Sequence, residues 1–348
     1  MHKKMKILQL GKYWNFRGGI ETQFRNLCNN LAGKVDLKIV HSSTNSKTER
    51  FGNRCSVASY GKILSAPISP SLVKYITDSD IIHIHLPNPA AELAYLIANP
   101  KGKLIVSYHS DIVRQKKAFL LYKPILKRIL EKASAIIVAA PQMKESEMLR
   151  QFQDKCVVIP YGIDANIKTK TIKQKKQIVL FVGRLVYYKG VEYLIKAMED
   201  IDAELIIVGD GPLKNKLMKI SGKPIFLGEV SDEKLDELYN SCGLFVLPSV
   251  EKSEAFGIVQ LEAMLRCKPV ISTELGTGTS FVNIHGQTGF VVEPRNVSQL
   301  KSAIEKVLNH PDLAKKLGEN ARARVLNEFN DKLMAERMFK LYEKEARK

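Results

Sequence analysis

Along residues 1–160, short apolar β-prone runs alternate with stretches of helical periodicity. The runs fall at 5–10, 37–41, 80–86, 103–109, 135–139 and 156–160, and the helical stretches at 21–31, 90–98, 116–132 and 142–152. Strands that are apolar on both faces and separated by helices predict a parallel sheet covered on both sides. Residues 161–177 have no apolar periodicity and read as a polar linker. Alternation then restarts, with strands at 178–182, 203–208, 224–227, 244–248, 269–273 and 289–292. Helices are expected at 191–199, 213–220, 232–240 and 256–266, followed by three helical stretches to residue 348.

The pattern therefore predicts two α/β domains of similar size, 1–160 and 178–330, joined by the linker 161–177. A terminal helix, 331–348, ends the chain, and its return to the first domain is left open. A length of 348 residues fits about two domains. Ligands of open parallel sheets sit beyond the carboxyl ends of the strands, so two such domains facing each other across a cleft would place the site between them.

Composition narrows the class. With 45% hydrophobic and 26% charged residues the chain is ordinary globular material. No stretch approaches the roughly 18–20 apolar residues of a spanning helix, and the short run after Met1–Lys6 reads as a first strand, not a signal peptide. Five scattered cysteines without a Cys-x-x-Cys suit a reducing compartment, with most thiols buried.

The net charge is +18, and it is unevenly placed. Residues 1–160 hold 25 Lys/Arg against 11 Asp/Glu, whereas 161–348 hold 29 against 25. A polyanionic partner should face the first half. Within it, 112–132 carries seven basic residues and one acid, interleaved with Phe119, Leu120, Tyr122, Ile125, Leu126, Ile129 and Leu130. Such a helix suits an anionic bilayer surface through Lys116, Lys117, Lys123, Lys127 and Arg128; a core helix with a solvated basic face is the alternative. Pro124 would kink it or divide it into two shorter helices. Nucleic-acid binding would require aromatics interleaved with cations on a known module, which the sequence lacks.

Four loops after strands carry candidate chemistry. Gly18-Gly19-Ile20-Glu21 opens a helix, where backbone N–H groups can approach an anion, although a simple turn explains it as well. Val182-Gly183-Arg184 to Lys189-Gly190 sets two cations beside a helix start, suited to a diphosphate, with a solvated basic turn as the alternative. Glu254 and Glu262 bracket Gly257 and Ile258; carboxylates accept from sugar or ribose hydroxyls, with a surface pair as the alternative, and Glu262 sits in an otherwise apolar helix. His109 ends a strand, where it is placed for ligand contact, with a satisfied structural imidazole as the alternative. His83 and His85 share a strand face at a spacing that can bind metal, but no third ligand is apparent, which favours packing or lining of the site.

In this order, with Pro160-Tyr161-Gly162-Ile163-Asp164, Val208-Gly209-Asp210-Gly211-Pro212 and Pro248-Ser249, these motifs make the chain resemble the retaining glycosyltransferases of family GT4, which have the GT-B architecture of two Rossmann-like domains. The resemblance covers essentially the whole chain. Gly11-Lys12-Tyr13, residues 109–116, Leu121-Tyr122-Lys123-Pro124 and residues 271–278 resemble bacterial O-antigen mannosyltransferases of that family. The linker is shorter and richer in lysine than the family pattern.

The resemblance implies a role for each matched residue. Arg184 and Lys189 would neutralise the donor diphosphate, Glu254 would hold sugar hydroxyls, and Glu262 would take the ribose. Gly257 and Ile258 would give backbone contacts, Gly19 would close over the diphosphate, and His109 would lie near the donor sugar. It further implies metal-independent hexosyl transfer without a cofactor, by front-side attack with retention. The donor would be a nucleotide-sugar, GDP-mannose first and a UDP-hexose or UDP-N-acetylhexosamine as the alternative. The acceptor would be undecaprenyl-diphosphate-linked, met by a peripheral protein at the cytoplasmic face of the inner membrane; no nucleic-acid partner is implied. A sugar-nucleotide epimerase could share the fold, but paired Arg184 and Lys189 with Glu254 and Glu262 suit transfer better.

Overall fold

A computed structural model of the chain describes residues 4–16, 18–63, 66–111, 116–166 and 177–348, without the side chains of 116–118. Most of the expected linker (167–176) and the side chains of Lys116 and Lys117 lie outside the described residues. The chain forms two compact units, 1–162 together with 331–348, and 163–330.

The first unit holds strands β1 (Lys6–Gly11), β2 (Asp36–Ser42), β3 (Glu49–Phe51), β4 (Arg54–Val57), β5 (Lys62–Ile63), β6 (Ala66–Pro67), β7 (Ile81–Leu86), β8 (Lys103–Tyr108), β9 (Ala135–Val138) and β10 (Cys156–Val158). Its helices are α1 (Gly19–Leu31), α2 (Pro89–Ala98) and α3 (Lys116–Lys132). The main sheet has the order β10-β9-β8-β7-β1-β2-β4-β3 and is parallel except for the edge pair β3–β4. All six residues of β7 are buried, as a strand covered on both faces requires. The sheet therefore contains an antiparallel edge that apolar periodicity did not reveal: β3 is only three residues long, two of them charged, and none is buried. A separate hairpin, β5–β6, also falls in the stretch 42–80.

The helix expected over 142–152 is instead two 3₁₀ segments, Pro141–Glu145 and Arg150–Lys155. Ser146 leaves the helical region at ψ 138°, and its hydroxyl donates to Asp111 at 2.5 Å. A serine bonded to a neighbouring segment offers the backbone an alternative to the helix. By contrast, α3 runs through Pro124 as one helix.

The second unit holds β11 (Ile178–Val182), β12 (Glu204–Val208), β13 (Ile225–Gly228), β14 (Leu244–Leu247), β15 (Val270–Thr273) and β16 (Gly289–Val292), all parallel, in the order β13-β12-β11-β14-β15-β16. Its helices are α4 (Val191–Ala197), α5 (Lys214–Met218), α6 (Asp232–Ser241), α7 (Ile258–Leu265), α8 (Gly278–Val282), α9 (Val297–Leu308) and α10 (Pro311–Glu328). The final helix, α11 (Asp331–Ala346), belongs to the first unit, where Met334, Ala335, Met338, Leu341 and Tyr342 pack with Phe24, Leu27 and Leu31 of α1.

Candidate active site

Strand order in the second unit reverses at β11, with β12 on one side and β14 on the other. Loops leaving the carboxyl ends of β11 and β14 consequently emerge side by side, at the kind of crevice where open α/β sheets take ligands. These are the two loops that carry Arg184, Lys189 and Glu254. They are bonded directly: Val250 N–H donates to Tyr188 C=O at 2.7 Å. Gly190, at φ +63°, sits where a Cβ would strike the Pro248 carbonyl, so this close approach needs glycine.

The two loops meet in a buried ion pair. Lys189 Nζ lies 2.5 Å from Glu254 Oε2, and each residue is 8% exposed. Ser249, wholly buried, donates its hydroxyl to the same oxygen at 2.9 Å, and Thr277 donates to the Glu254 carbonyl at 2.8 Å. Burial lowers the Lys189 ammonium pKa, but the Glu254 charge, the phenol of Tyr188 and the bond to Glu254 outweigh it, leaving the value raised and the lysine charged. The residues matched to diphosphate and to sugar hydroxyls are thus held by each other. Arg184 is exposed and makes no ion pair among the described residues.

Gly257 caps α7 from the left-handed region at φ +74° and supplies no side-chain hydrogen bond to the helix start. A Cβ there would meet Leu247 Cδ2 at 2.6 Å. Ile258 is the first residue of α7, and the first N–H groups of a helix have no partner within it. Glu262, one turn further on and half-buried, accepts from Tyr239 Oη at 2.7 Å. Burial raises its carboxyl pKa, and the Tyr239 bond and the Arg266 charge offset part of the rise. Arg266 binds Asp236 at 2.5 Å and the Glu262 carbonyl at 2.8 Å, tying α7 to α6.

In the first unit, Gly19 is the exposed first residue of α1. The anion place at this helix start is already held by the Glu21 carboxylate, which accepts from its own backbone N–H and lies where a side chain on Gly18 would have to sit. Burial raises the Glu21 carboxyl pKa, against its own N–H bond and the charges of Lys12 and Arg25.

His109, buried at the end of β8, has both ring nitrogens engaged: Nδ1 with Tyr161 Oη at 2.5 Å and Nε2 with His85 Nδ1 at 3.0 Å. His85 continues to Gln9 at 3.1 Å, and His83 lies between Tyr342 at 2.6 Å and Ser107 at 2.8 Å. Every ring nitrogen of His83 and His85 therefore has a protein partner. Gln9 and Tyr342 carry no expectation from the sequence, and Tyr161 and Ser249 enter it only as parts of motifs, without a role. A glutamine inside the apolar run 5–10 was a readable signal, whereas nothing local marks Tyr342.

On α3, Leu126, Ile129 and Leu130 are buried, while Leu120 is 69% and Leu121 83% exposed. Leu93 and Ile97 of α2, which packs against α3, are exposed as well. Lys123 pairs with Glu147 at 3.2 Å, and Lys127 and Arg128 approach Glu131 at 3.9 and 3.7 Å. These are surface pairs of small worth. Among the described residues no helix is long and apolar enough to cross a membrane.

Two parallel-sheet units of this kind, with loops converging at a strand-order reversal, are the GT-B fold of glycosyltransferases. Sucrose-phosphate synthase from Thermosynechococcus elongatus superposes with a TM-score of 0.80 at 23% identity, covering 98% of this chain and 99% of that one. HepE from Anabaena, solved in complex with UDP, gives 0.79 at 18% identity over 98% and 100%. The family model "Glycosyltransferase Family 4" matches residues 17–167, and "Glycosyl transferases group 1" matches 162–324. O-antigen chain mannosyltransferase C of Escherichia coli is 32% identical over 97% of both chains. D-rhamnosyltransferase WbpZ of Pseudomonas aeruginosa is 37% identical over 71% of this chain and 69% of its own length. The chain belongs to glycosyltransferase family 4.

Proposed function

We propose that this glycosyltransferase moves a hexose, mannose from GDP-mannose, onto a lipid-linked oligosaccharide in O-antigen or surface polysaccharide assembly. The linkage is α, with the donor's anomeric configuration retained. The observation that carries the reading is the Lys189–Glu254 pair at the strand-order reversal, beside the exposed Arg184. Likeness to O-antigen chain mannosyltransferase C over nearly the full length of both chains supports the sugar and the pathway.

In this reading Arg184 binds the diphosphate through its planar fork, and Lys189 directs a remaining N–H to the same group while Oε2 of Glu254 holds it in place. Glu254 keeps Oε1 for the sugar hydroxyls. Backbone N–H groups at Gly257 and Ile258 add donors to the phosphate or sugar, and Glu262 turns from Tyr239 to the ribose. His109 and Gly19, which the resemblance matches to donor contacts, lie in the first unit, where His109 is bonded at both ring nitrogens and Glu21 stands at the start of α1. As the C1–O bond breaks, charge grows on the leaving diphosphate, and fixed cations with helix-end amides stabilise it, as an oxyanion hole does. The acceptor hydroxyl attacks C1 from the face the diphosphate leaves and passes its proton to an oxygen of the departing diphosphate, which retains configuration. No step is assigned to a metal ion or cofactor.

The exposed Leu120 and Leu121 on the cationic unit would seat the enzyme on the anionic cytosolic leaflet, where an undecaprenyl-diphosphate-linked acceptor is found. The test is a panel of GDP- and UDP-sugars with a lipid-diphosphate acceptor, scored by product mass and anomeric NMR. Mannose transfer with an α product is expected. Transfer only from a UDP-sugar would overturn the donor, and an inverted product the mechanism.

A further inference from the structure

Six hydrogen bonds join seven buried or partly buried groups of the first unit into one unbranched chain. From Tyr161 Oη it runs to His109 Nδ1 (2.5 Å), from His109 Nε2 to His85 Nδ1 (3.0 Å), and from His85 Nε2 to Gln9 Oε1 (3.1 Å). Gln9 Nε2 donates to Tyr342 Oη (2.8 Å), which meets His83 Nδ1 (2.6 Å), and His83 Nε2 reaches Ser107 Oγ (2.8 Å). The strands dictate the arrangement: Gln9 on β1 pairs with His83 on β7, and His85 pairs with Ser107 on β8. Ring stacking of His83 on His85 (4.4 Å) and His85 on His109 (5.2 Å, 15° apart) holds the planes in register.

Gln9 and His83 are fully buried, and His85 and His109 nearly so. Burial holds the three imidazoles neutral, with His83 and His109 lowered to about 3 and His85 lowered well below its ordinary value. A neutral imidazole offers one N–H and one lone pair, so each ring must donate on one side and accept on the other. Hydroxyls turn either way. The Gln9 amide alone has two ends that differ, and it therefore sets the direction of the whole chain. Its oxygen faces His85, so His85 donates from Nε2 and accepts at Nδ1, and His109 must donate from Nε2. The Tyr161 hydroxyl then donates to a bare His109 Nδ1.

We propose that Gln9 is a positioning residue that, through His85, fixes His109 as the Nε2–H tautomer, so that Nδ1 meets a hydroxyl, here that of Tyr161 and in the reaction that of a ligand displacing it, only as an acceptor. This brings the terminal helix into the relay, because the amide nitrogen of Gln9 donates to Tyr342 of α11 while its oxygen faces His85. The kinetic half rests on the proposed role of His109 at the donor sugar; the tautomer does not.

The test is long-range ¹H–¹⁵N correlation on ¹⁵N-histidine-labelled protein without nucleotide-sugar, with His109→Gln assigning the resonances. The wild type should show a protonated Nε2 and a bare Nδ1 on His109. Gln9→Met, similar in size but with no hydrogen-bonding amide, should shift both nitrogens toward a mixture of tautomers. Its kcat should fall by roughly 10–100-fold, the scale set by outer partners that orient a histidine, with the donor KM nearly unchanged. A dominant Nδ1–H form in the wild type overturns the proposal. So does an unchanged tautomer in folded Gln9→Met, while a changed tautomer with kcat intact overturns the kinetic half. The wild-type spectrum decides the direction even if Gln9→Met does not fold. A correct tautomer in a protein that transfers no sugar would defeat the functional reading and leave the relay standing.

Discussion

Lys189 and Arg184 separate two effects that a binding site usually mixes. Lys189→Ala leaves Glu254 as a buried carboxylate with only Ser249 as donor, and an uncompensated buried charge of this kind costs about 3–5 kcal/mol. Thermal denaturation should show that loss alongside the loss of turnover. Arg184→Ala removes an exposed side chain, so its stability should stay within about 0.5 kcal/mol of wild type. Its turnover should nevertheless fall by ~10²–10³ if the guanidinium stabilises the leaving charge. Equal stability and equal turnover in both variants would remove the pair from the mechanism.

The histidines make a second test at this scale. Their folded pKa values lie below the ordinary value of about 6.5, so below pH 6.5 the unfolded chain binds more protons than the folded one. The stability they contribute is present above pH 6.5 and is lost as pH falls toward their folded values near 3. The slope should approach ~1.4 kcal/mol per pH unit for each histidine. Denaturant melts between pH 7 and 5 check this, and a flat profile would contradict the buried, neutral cluster. Residue types at the site were readable because loops after strands carried cations, acids and glycines. Their partners were not: the contact of Lys189 with Glu254 spans 65 positions, and that of Gln9 with Tyr342 spans 333. Such separations leave no trace in local pattern.

Among the elements, strands buried on both faces were the most legible. The run at 178–182 is wholly apolar and the run at 80–86 is apolar except for Asp80, His83 and His85; they correspond to β11 and β7, with every residue of both strands buried. Elements without that signal were missed, as β3 and the short α8 show. The segment 142–152 has the apolar spacing of a helix, but that spacing carries no sign of the break at Ser146. Helix α3 carries a prediction of its own. The protein should pellet with anionic liposomes and release in high salt, and Leu120→Glu with Leu121→Glu should abolish pelleting without unfolding, since both side chains are exposed. Pelleting indifferent to lipid charge, salt and these substitutions would leave α3 an ordinary surface helix. Gly257→Ala should lose activity through its clash with Leu247 and its strained φ at the start of α7, and circular dichroism would tell local distortion from global unfolding.

At the scale of the whole molecule, charge and chemistry belong to different units. The unit made of 1–162 and 331–348 holds 31 Lys/Arg against 15 Asp/Glu, whereas 163–330 holds 23 against 21. The near-neutral unit carries the Arg184, Lys189 and Glu254 loops, and the cationic one carries α3 and the histidine relay. Alternation of strands and helices was enough to expect two α/β units. It left the place of the last helix open, because α11 joins the first unit through contacts with α1 far away in sequence. The central claim is that the paired loops after β11 and β14 hold a nucleotide diphosphate. A crystal of the protein grown with GDP-mannose tests it most directly. The account predicts diphosphate oxygens within about 3 Å of the Arg184 guanidinium and Lys189 Nζ, with the sugar against Glu254. A diphosphate bound elsewhere, with the Lys189–Glu254 pair and Arg184 untouched, would contradict it.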